Sequence, residues 1–420
     1  MSVRFAPRTQ LPEASDLPYY CNRPTKTLER QPLPNHHVSS ITKDDLLKAL
    51  SNIIDPDLHK DIVSLGFITQ STVCDGIAKV TINLTTPACP VKDQMKAQAE
   101  ELLMALPGMV KVTVEMTATV RGRERGADEM APGVSHVVAV SSGKGGVGKS
   151  TVTINLAVAL AATGAKVGIL DCDVHGPDIP MMLGCSGEPD VVDGRLIPKI
   201  NYGIKSMSIG YLIPEEKPVI WRGPMVHKLI EQFLGDVEWG ELDYLLVDMP
   251  PGTGDAQLSL AQIVPLTGAV LVTTPQAVST FDVGKAISMF KQVNVPILGI
   301  VENMAGYSVS GMVEGISAAT KIQLDTGNGI EAVDVDSEGK FETIVPIFGE
   351  GGADGLVAKH GFELLGRIPL NPSVRVGGDG GAPVTKSDPD SPIAKTFSTI
   401  AGLFAQQVAK RERMQLPVLQ

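Results

Sequence analysis

From Val137 to Thr151 the chain reads as a short apolar strand, Val137-Val138-Ala139-Val140, running into Ser-Ser-Gly-Lys-Gly-Gly-Val-Gly-Lys-Ser-Thr. Counted from Gly143 this is G-x-x-x-x-G-K-S, the spacing of a phosphate-binding loop. Gly143, Gly145, Gly146 and Gly148 allow the tight turn that brings backbone N–H groups onto an anion. Lys149 supplies a point charge for the β- and γ-phosphates of ATP, and the Ser150 hydroxyl can ligate Mg²⁺. From Thr151 to Thr163 the chain is apolar and Ala-rich, so a helix is expected with its N-terminus facing the phosphates. The nucleotide-binding stretch is therefore Gly143 to Thr151, with Lys144 and Val147 inside it. A strand before the motif and a helix after it separate it from a chance match in a Gly-rich loop.

Length and composition bound the rest. At 420 residues, 43% hydrophobic and 20% charged, the chain can build two domains or one large domain with additions. No apolar run approaches the ~18–20 residues that span a bilayer, so no membrane partner is expected. A net charge of −11 argues against a bulk electrostatic grip on nucleic acid. The five cysteines (21, 74, 89, 172 and 185) have no paired metal-like spacing, and an odd, sparse set fits a reducing, cytoplasmic setting.

Residues 1–40 are Pro-rich without periodicity and read as a disordered or loosely docked extension. Five Lys/Arg against three acids there are weakly transit-like, which leaves an organelle as the alternative location. Residues 41–124 form a small α+β domain. A helix starts after Ile41-Thr42 and runs to Ile54, and Ala78–Leu84 alternates as a strand. Val91–Leu106 is a helix, and Val110–Val114 is another strand. Between the first strand and the second helix lies Thr85-Thr86-Pro87-Ala88-Cys89-Pro90. Pro90 suits a first helical turn, so Cys89 is expected at or beside the N-cap, where the helix dipole favours a thiolate. On position alone it reads equally as a reactive thiol or an inert, half-buried one.

Residues 125–135 read as a linker, within the charged, Gly- and Pro-punctuated run that starts at Arg121. The remainder, 136–410, alternates strands and helices, implying an α/β fold with a doubly wound, mainly parallel sheet. Expected strands are Lys166–Leu170, Tyr244–Asp248, Ala269–Thr274 and Ile297–Val301. Asp171 and Asp173 fall at a strand's C-terminal edge, the ligand side of such sheets. Asp248 closes its strand as a Walker-B type acid for Mg²⁺, and Pro250–Asp255 after it has the hinge chemistry of a phosphate-sensing switch. Residues 308–347 look like a variable β insertion, with Lys321–Asp325, Ile330–Asp336 and Phe341–Phe348 read as a β-meander. An amphipathic helix follows Pro392, with Ile393, Phe397, Ile400 and Phe404 on one face, and is expected to pack on the sheet. Residues 411–420 read as a tail.

Several blocks carry a resemblance. Ser-Ser-Gly-Lys-Gly-Gly-Val-Gly-Lys-Ser-Thr, with a second lysine (Lys144) after the first glycine, resembles the deviant loop of the Mrp/MinD/ParA-like ATPases. Asp171-Cys-Asp-Val-His-Gly-Pro, Val247-Asp-Met-Pro-Pro-Gly-Thr-Gly-Asp, Phe348-Gly-Glu-Gly-Gly, Leu365-Gly-Arg-Ile-Pro-Leu and Trp221-Arg-Gly-Pro-Met resemble the Mrp/ApbC family of iron–sulfur carrier ATPases. Asp55-Pro-Asp, Asp61-Ile-Val-Ser-Leu-Gly and Thr-Thr-Pro-Ala-Cys-Pro resemble the SufT/PaaD-type domain of iron–sulfur assembly factors. The resemblance spans about nine-tenths of the chain. It implies a homodimer serving iron–sulfur apoprotein clients, with Lys144 reaching the partner's nucleotide and Lys149 and Ser150 on phosphate and Mg²⁺. It also implies Asp173 near the attacking water, Asp248 as second Mg²⁺ acid, Asn303 holding adenine, and a functional Cys89. Gln276 and Phe281 belong to the same pattern, with no role assigned.

The resemblance breaks at one place. Many relatives carry Cys-x-x-Cys shortly after Glu-Asn-Met, pairing across the dimer to hold a cluster. Here Glu302-Asn303-Met304 runs into Ser308-Val309-Ser310, and no cysteine follows Cys185. Serine is a poor substitute for the soft thiolates that clusters use, so a bridging site of that kind is not expected. If iron is bound, Cys89 is the expected ligand. The competing readings are a MinD/ParA-like positioning or adaptor ATPase without a cluster, favoured by that missing motif, and a reductase of the nitrogenase-iron-protein type, which needs the absent cysteines.

Overall fold

The structure, a computed structural model, describes residues 41–56, 58–120, 122, 130–174, 176–212, 223–316, 318–327 and 329–415. The extension read over residues 1–40 lies outside the described residues, as do most of the charged run from Arg121, His175, Trp221, Arg222 and the last five residues of the chain.

The small domain comprises α1 (Lys43–Leu50), β1 (Ile68–Cys74), β2 (Ile77–Leu84), α2 (Lys92–Met104) and β3 (Lys111–Ala118). Thr42 starts α1 with a capping box: its Oγ1 accepts from Asp45 N at 3.3 Å while Asp45 Oδ2 accepts from Thr42 N at 2.9 Å. Caps of this kind contribute about 1 kcal/mol. β2 pairs antiparallel with β1 and parallel with β3. Leu46, Leu50, Val80, Ile82, Ala99 and Leu103 close a core between helices and sheet. β1 was not expected from the sequence, because in Ile-Thr-Gln-Ser-Thr-Val-Cys only Ser71 is buried and the hydrophobic alternation that marks a strand is missing.

The second domain runs β4 (Val134–Ser142), α3 (Lys149–Ala162), β5 (Val167–Asp171), α4 (Ile179–Met182), the two-residue strands β6 (Val191–Val192) and β7 (Arg195–Leu196), β8 (Lys199–Asn201) and β9 (Ile204–Ser208). It continues through α5 (Gly223–Gly235), β10 (Leu242–Asp248), α6 (Asp255–Ile263), β11 (Gly268–Thr273), α7 (Ala277–Gln292) and β12 (Ile297–Met312). After β13 (Thr320–Asp325), β14 (Ile330–Val335) and β15 (Lys340–Val345) come α8 (Gly352–His360), β16 (Leu364–Leu370), α9 (Pro372–Asp379), α10 (Val384–Ser387) and α11 (Pro392–Gln415). The parallel sheet has the order β16-β12-β11-β4-β10-β5-β9, with β8 antiparallel at one edge. β4 sits where the order reverses, so the loop after it opens at the switch point where doubly wound sheets bind ligands.

Both faces of the sheet are covered. Val138 and Val140 face α3 and α11, whereas Val137 and Ala139 face α5, α6 and α7. α3 is buried from Val152 to Leu160 on every side, as a helix apolar all round must be. α11 lays Ile393, Phe397, Ile400 and Phe404 against it, all nearly inaccessible to solvent. No described helix is long and apolar enough to cross a membrane.

The β-meander expectation is corrected. β15 pairs antiparallel with the far end of β12, from Tyr307↔Val345 to Met312↔Lys340, and β13 pairs only with β14. The segment is therefore one long two-stranded arm, interrupted between Met312 and Thr320 on one strand and between Val335 and Lys340 on the other. β12, expected to stop at Val301, runs to Met312 because β16 and then β15 satisfy its backbone.

The small domain docks through the loop that carries Cys89. Ala88 belongs to the same buried cluster as α3 and α11. Thr86 Oγ1 lies 3.3 Å from Tyr244 Oη on β10. On α11, Gly402 faces this loop, and a Cβ there would stand 3.2 Å from Ala88 O.

Candidate active site

The loop after β4 is shaped by close approach and by left-handed backbone. A Cβ on Gly143 would meet the Asp282 carbonyl carbon at 2.3 Å, so only glycine lets α7 pass so near. Gly146 and Gly148 have φ of +78° and +82°, values that cost other residues about 1–2 kcal/mol. Gly148 is the N-cap of α3 and offers no side-chain cap. The first N–H groups of α3 are thus left for a ligand, at the positive end of the helix dipole.

Charge converges immediately behind the loop. Lys149, 6% exposed, places Nζ 2.6 Å from Asp248 Oδ2 and 3.8 Å from Asp173 Oδ2. Ser150 Oγ donates to Asp248 Oδ2 at 2.7 Å, and Thr153 Oγ1 donates to Asp248 Oδ1 at 2.7 Å. Asp248 is therefore fully partnered although it is buried. Asp171 lies behind it, accepting from Ser208 Oγ at 2.8 Å and from Asp173 N at 3.0 Å. Burial, and then the Asp248 charge, hold the Asp171 carboxyl well above the usual carboxylate range. Burial also raises Asp178. Thr153 escaped the sequence reading; its signal was a hydroxyl four residues after Lys149, on the same face of an otherwise apolar helix.

The other named residues frame this centre. Lys144 Nζ donates to Gln276 Oε1 at 3.3 Å, so Gln276, at the start of α7, steadies the lysine of the deviant loop. Beside it, Val278 and Phe281 are exposed apolar side chains. Asn303 Nδ2 donates to Val147 O at 2.8 Å, tying β12 to the loop. Asn303 also lines a 320 Å³ cleft with Gly148, Thr151, Met181, Pro369 and Arg375. This cleft adjoins the loop, and its lining mixes apolar Met182, Met304 and Val374 with charged Asp178 and Asp379. Pro369 and Leu370 come from the Leu-Gly-Arg-Ile-Pro-Leu block, whose role could not be read from sequence. In the same block, Arg367 Nε donates to Glu302 Oε1 at 3.3 Å while Ala353 N donates to Glu302 Oε2 at 2.6 Å. Glu302 thereby anchors α8 beside β12.

Cys89 lies elsewhere. The N-cap of α2 is Val91, so Cys89 stands two residues before it and not in the capping position. It is half-buried, and it lines a small crevice with Asp55, Thr86, Gln406 and Lys410 at the junction with α11. Cys172 is buried inside the second domain, and burial, followed by the Asp171 and Asp248 charges, pushes its thiol well up. Cys74 is exposed and Cys185 half-buried. Ser308 sits on the arm, with Oγ donating to Glu342 Oε1 at 3.4 Å, and Ser310 lies two residues further along it. Among the described residues no group of three or more His, Cys, Asp or Glu is arranged to hold a metal ion.

Comparison with known proteins bears on this arrangement. The sequence model of the family described as NUBPL iron-transfer P-loop NTPase matches residues 133–326 and 313–405. That of a family described as iron-sulfur cluster assembly protein matches residues 43–116. An iron-sulfur cluster carrier protein of Deinococcus radiodurans is 44% identical over 377 residues, covering 89% of this chain and 98% of the relative. The chloroplastic Fe-S cluster assembly factor HCF101 of Arabidopsis thaliana is 41% identical over 381 residues, 89% of this chain and 65% of the relative. Among solved structures, a nucleotide-binding protein of Archaeoglobus fulgidus in complex with ADP is 39% identical, with 62% of this chain and 92% of that chain covered, at a TM-score of 0.47.

Proposed function

Because the chain belongs to the NUBPL iron-transfer family of P-loop NTPases and carries an iron–sulfur assembly domain ahead of the ATPase domain, we propose that it is an ATP-hydrolysing homodimer that passes iron–sulfur clusters to apoproteins. The observation that carries the reading is the convergence of Lys149, Ser150 and Thr153 on Asp248 at the mouth of an uncapped helix. A cluster-free positioning ATPase is not favoured, since the extended similarity is to cluster carriers over 89% of the chain.

In this reading the N–H groups of Gly145 to Ser150 bind the phosphates, and Lys149 turns from Asp248 to the γ-phosphate oxygens. Ser150 and Asp248 are hard oxygen donors that fit Mg²⁺, which when bound neutralises charge on the β- and γ-phosphates. Asp173, close to Lys149, orients the attacking water. Water oxygen bonds to the γ-phosphorus as the bond to the ADP oxygen breaks, and the water proton leaves with the phosphate or through solvent. Asn303 and the cleft around Pro369 take the adenosine.

Lys144 acts in trans. Its partner Gln276 begins α7, whose first turns expose Val278 and Phe281, a surface that a second copy would cover. Lys144→Ala should still bind nucleotide but lose ATP-dependent dimerisation in light scattering; normal dimerisation would return it to the status of a loop lysine.

The cluster is cargo. Cys89 is proposed as its protein ligand, because it is the cysteine in a loop at the domain junction, whereas Cys172 is buried among carboxylates. One thiolate per chain cannot complete a four-ligand site, so the cargo is shared with a second copy, a small thiol or a client, and is labile. Anaerobic reconstitution with iron and sulfide should load the wild type and leave Cys89→Ser with less than about half the iron, as a shared site requires. Equal iron in the two would remove Cys89 from the account. The similarity to bacterial carriers supports a cytoplasmic location; the chloroplastic relative keeps an organelle as the alternative.

A further inference from the structure

We propose that Gln257 is a positioning residue for hydrolysis: a latch between the phosphate loop and the Pro250–Gly254 switch that makes no contact with substrate. This rests on the reading of the loop as the ATP site. Gln257 lies in the first turn of α6 and is 1% exposed. Its Nε2 donates to Ser141 Oγ, two residues before Gly143, and at 3.2 Å to Pro250 O, at the root of the switch. One side-chain amide thus joins the strand that ends in the phosphate loop to the segment that follows Asp248.

The switch itself is poised over the loop. The Pro251 ring would stand 3.8 Å from a Cβ on Gly145, so the two segments are in near contact. Gly252 has φ +100°, a conformation open to glycine and little else. The N–H groups of Gly252, Thr253 and Gly254 donate to no backbone carbonyl among the described residues. At its root the switch is fixed by the Met249 N–H, which donates to Val140 O at 3.0 Å, and by the Gln257 side chain on Pro250 O.

The amide has one orientation. Pro250 O can only accept, so Nε2 must face it, and Oε1 is turned the other way. There, among the described residues, Oε1 is buried with no hydrogen-bond partner. A buried acceptor without a donor costs free energy that an apolar residue of the same shape would avoid. Its presence is explained if the switch has a second arrangement in which one of its N–H groups reaches Oε1. Gln257 would then hold the switch in both arrangements, by its donor in one and by its acceptor in the other.

The test uses the full chain with Gln257→Met, which keeps length and loses both polar ends, and Gln257→Glu, which keeps the acceptor and loses the donor. Each should bind a fluorescent ATP analogue within about threefold of wild type while kcat falls tenfold or more at nearly unchanged KM. Hydrogen exchange of the peptide 250–256 should be slowed by ATP in the wild type and not in Gln257→Met. If Gln257→Met does not fold, by circular dichroism, the Glu variant carries the same comparison. Wild-type kcat and wild-type protection in a folded variant would overturn the latch alone. A wild type that hydrolyses ATP no faster than Lys149→Ala would overturn the assignment of the loop, and the latch with it.

Discussion

Lys149→Ala should abolish ATP hydrolysis, lowering kcat by roughly a hundredfold or more, the order seen when one group stabilising transition-state charge is removed from a preorganised site. Lys149 is the cation at the centre of the site, with Asp173 and Asp248 both within 4 Å of its Nζ. Its charge is held at the loop by burial, where water cannot screen it. Removing one member of a buried ion pair costs on the order of 3–5 kcal/mol in general. Here Ser150 and Thr153 still donate to Asp248, which moderates that cost and should keep the variant folded. Phosphate release by the purified variant is the measurement, with circular dichroism as the control. Turnover near that of the wild type would contradict the assignment of the loop.

The second large effect falls on stability. Phe404→Ala should destabilise the protein by about 3–5 kcal/mol, the usual cost of emptying an aromatic site in a packed core. Phe404 is fully buried on α11 and meets Tyr244 edge-on, with ring centroids 5.6 Å apart. Tyr244 in turn reaches Thr86, so this ring supports the seat of the small domain as well as the sheet. At about 2–4 °C per kcal/mol for a domain of this size, melting should fall by on the order of 10 °C. The loop carrying Cys89 should also become more accessible to thiol reagents. An unchanged melting temperature would mean that α11 is not the pillar described.

The parts legible in the sequence were those whose signal is local. A glycine pattern between a strand and a helix marks a phosphate loop because the backbone geometry demands those residues. Continuous apolar runs at Val137–Val140 and Leu245–Val247 mark strands covered on both faces. The rest depended on placement across the fold. β1 is a strand because β2 needs a partner, although its own residues do not alternate. The arm at 307–345 pairs by nesting, with β12 to β15 and β13 to β14, and nothing within each strand chooses that over a meander. Thr153, Gln257 and Gln276 owe their places to partners 95, 116 and 132 residues away. Pro90 points to Cys89 at or beside a helix cap; the cap is Val91, two residues on, and the position of the loop is set by its docking on α11.

The most direct test of the account is transfer. Protein reconstituted anaerobically with iron and sulfide, freed of unbound metal, is mixed with an apo-ferredoxin, and the recovery of the acceptor's visible absorbance is followed. The account predicts that the acceptor is filled faster than by an equal amount of free iron and sulfide, and in proportion to the iron carried in. Failure of the protein to retain iron, or filling no faster than the free components achieve, would contradict it.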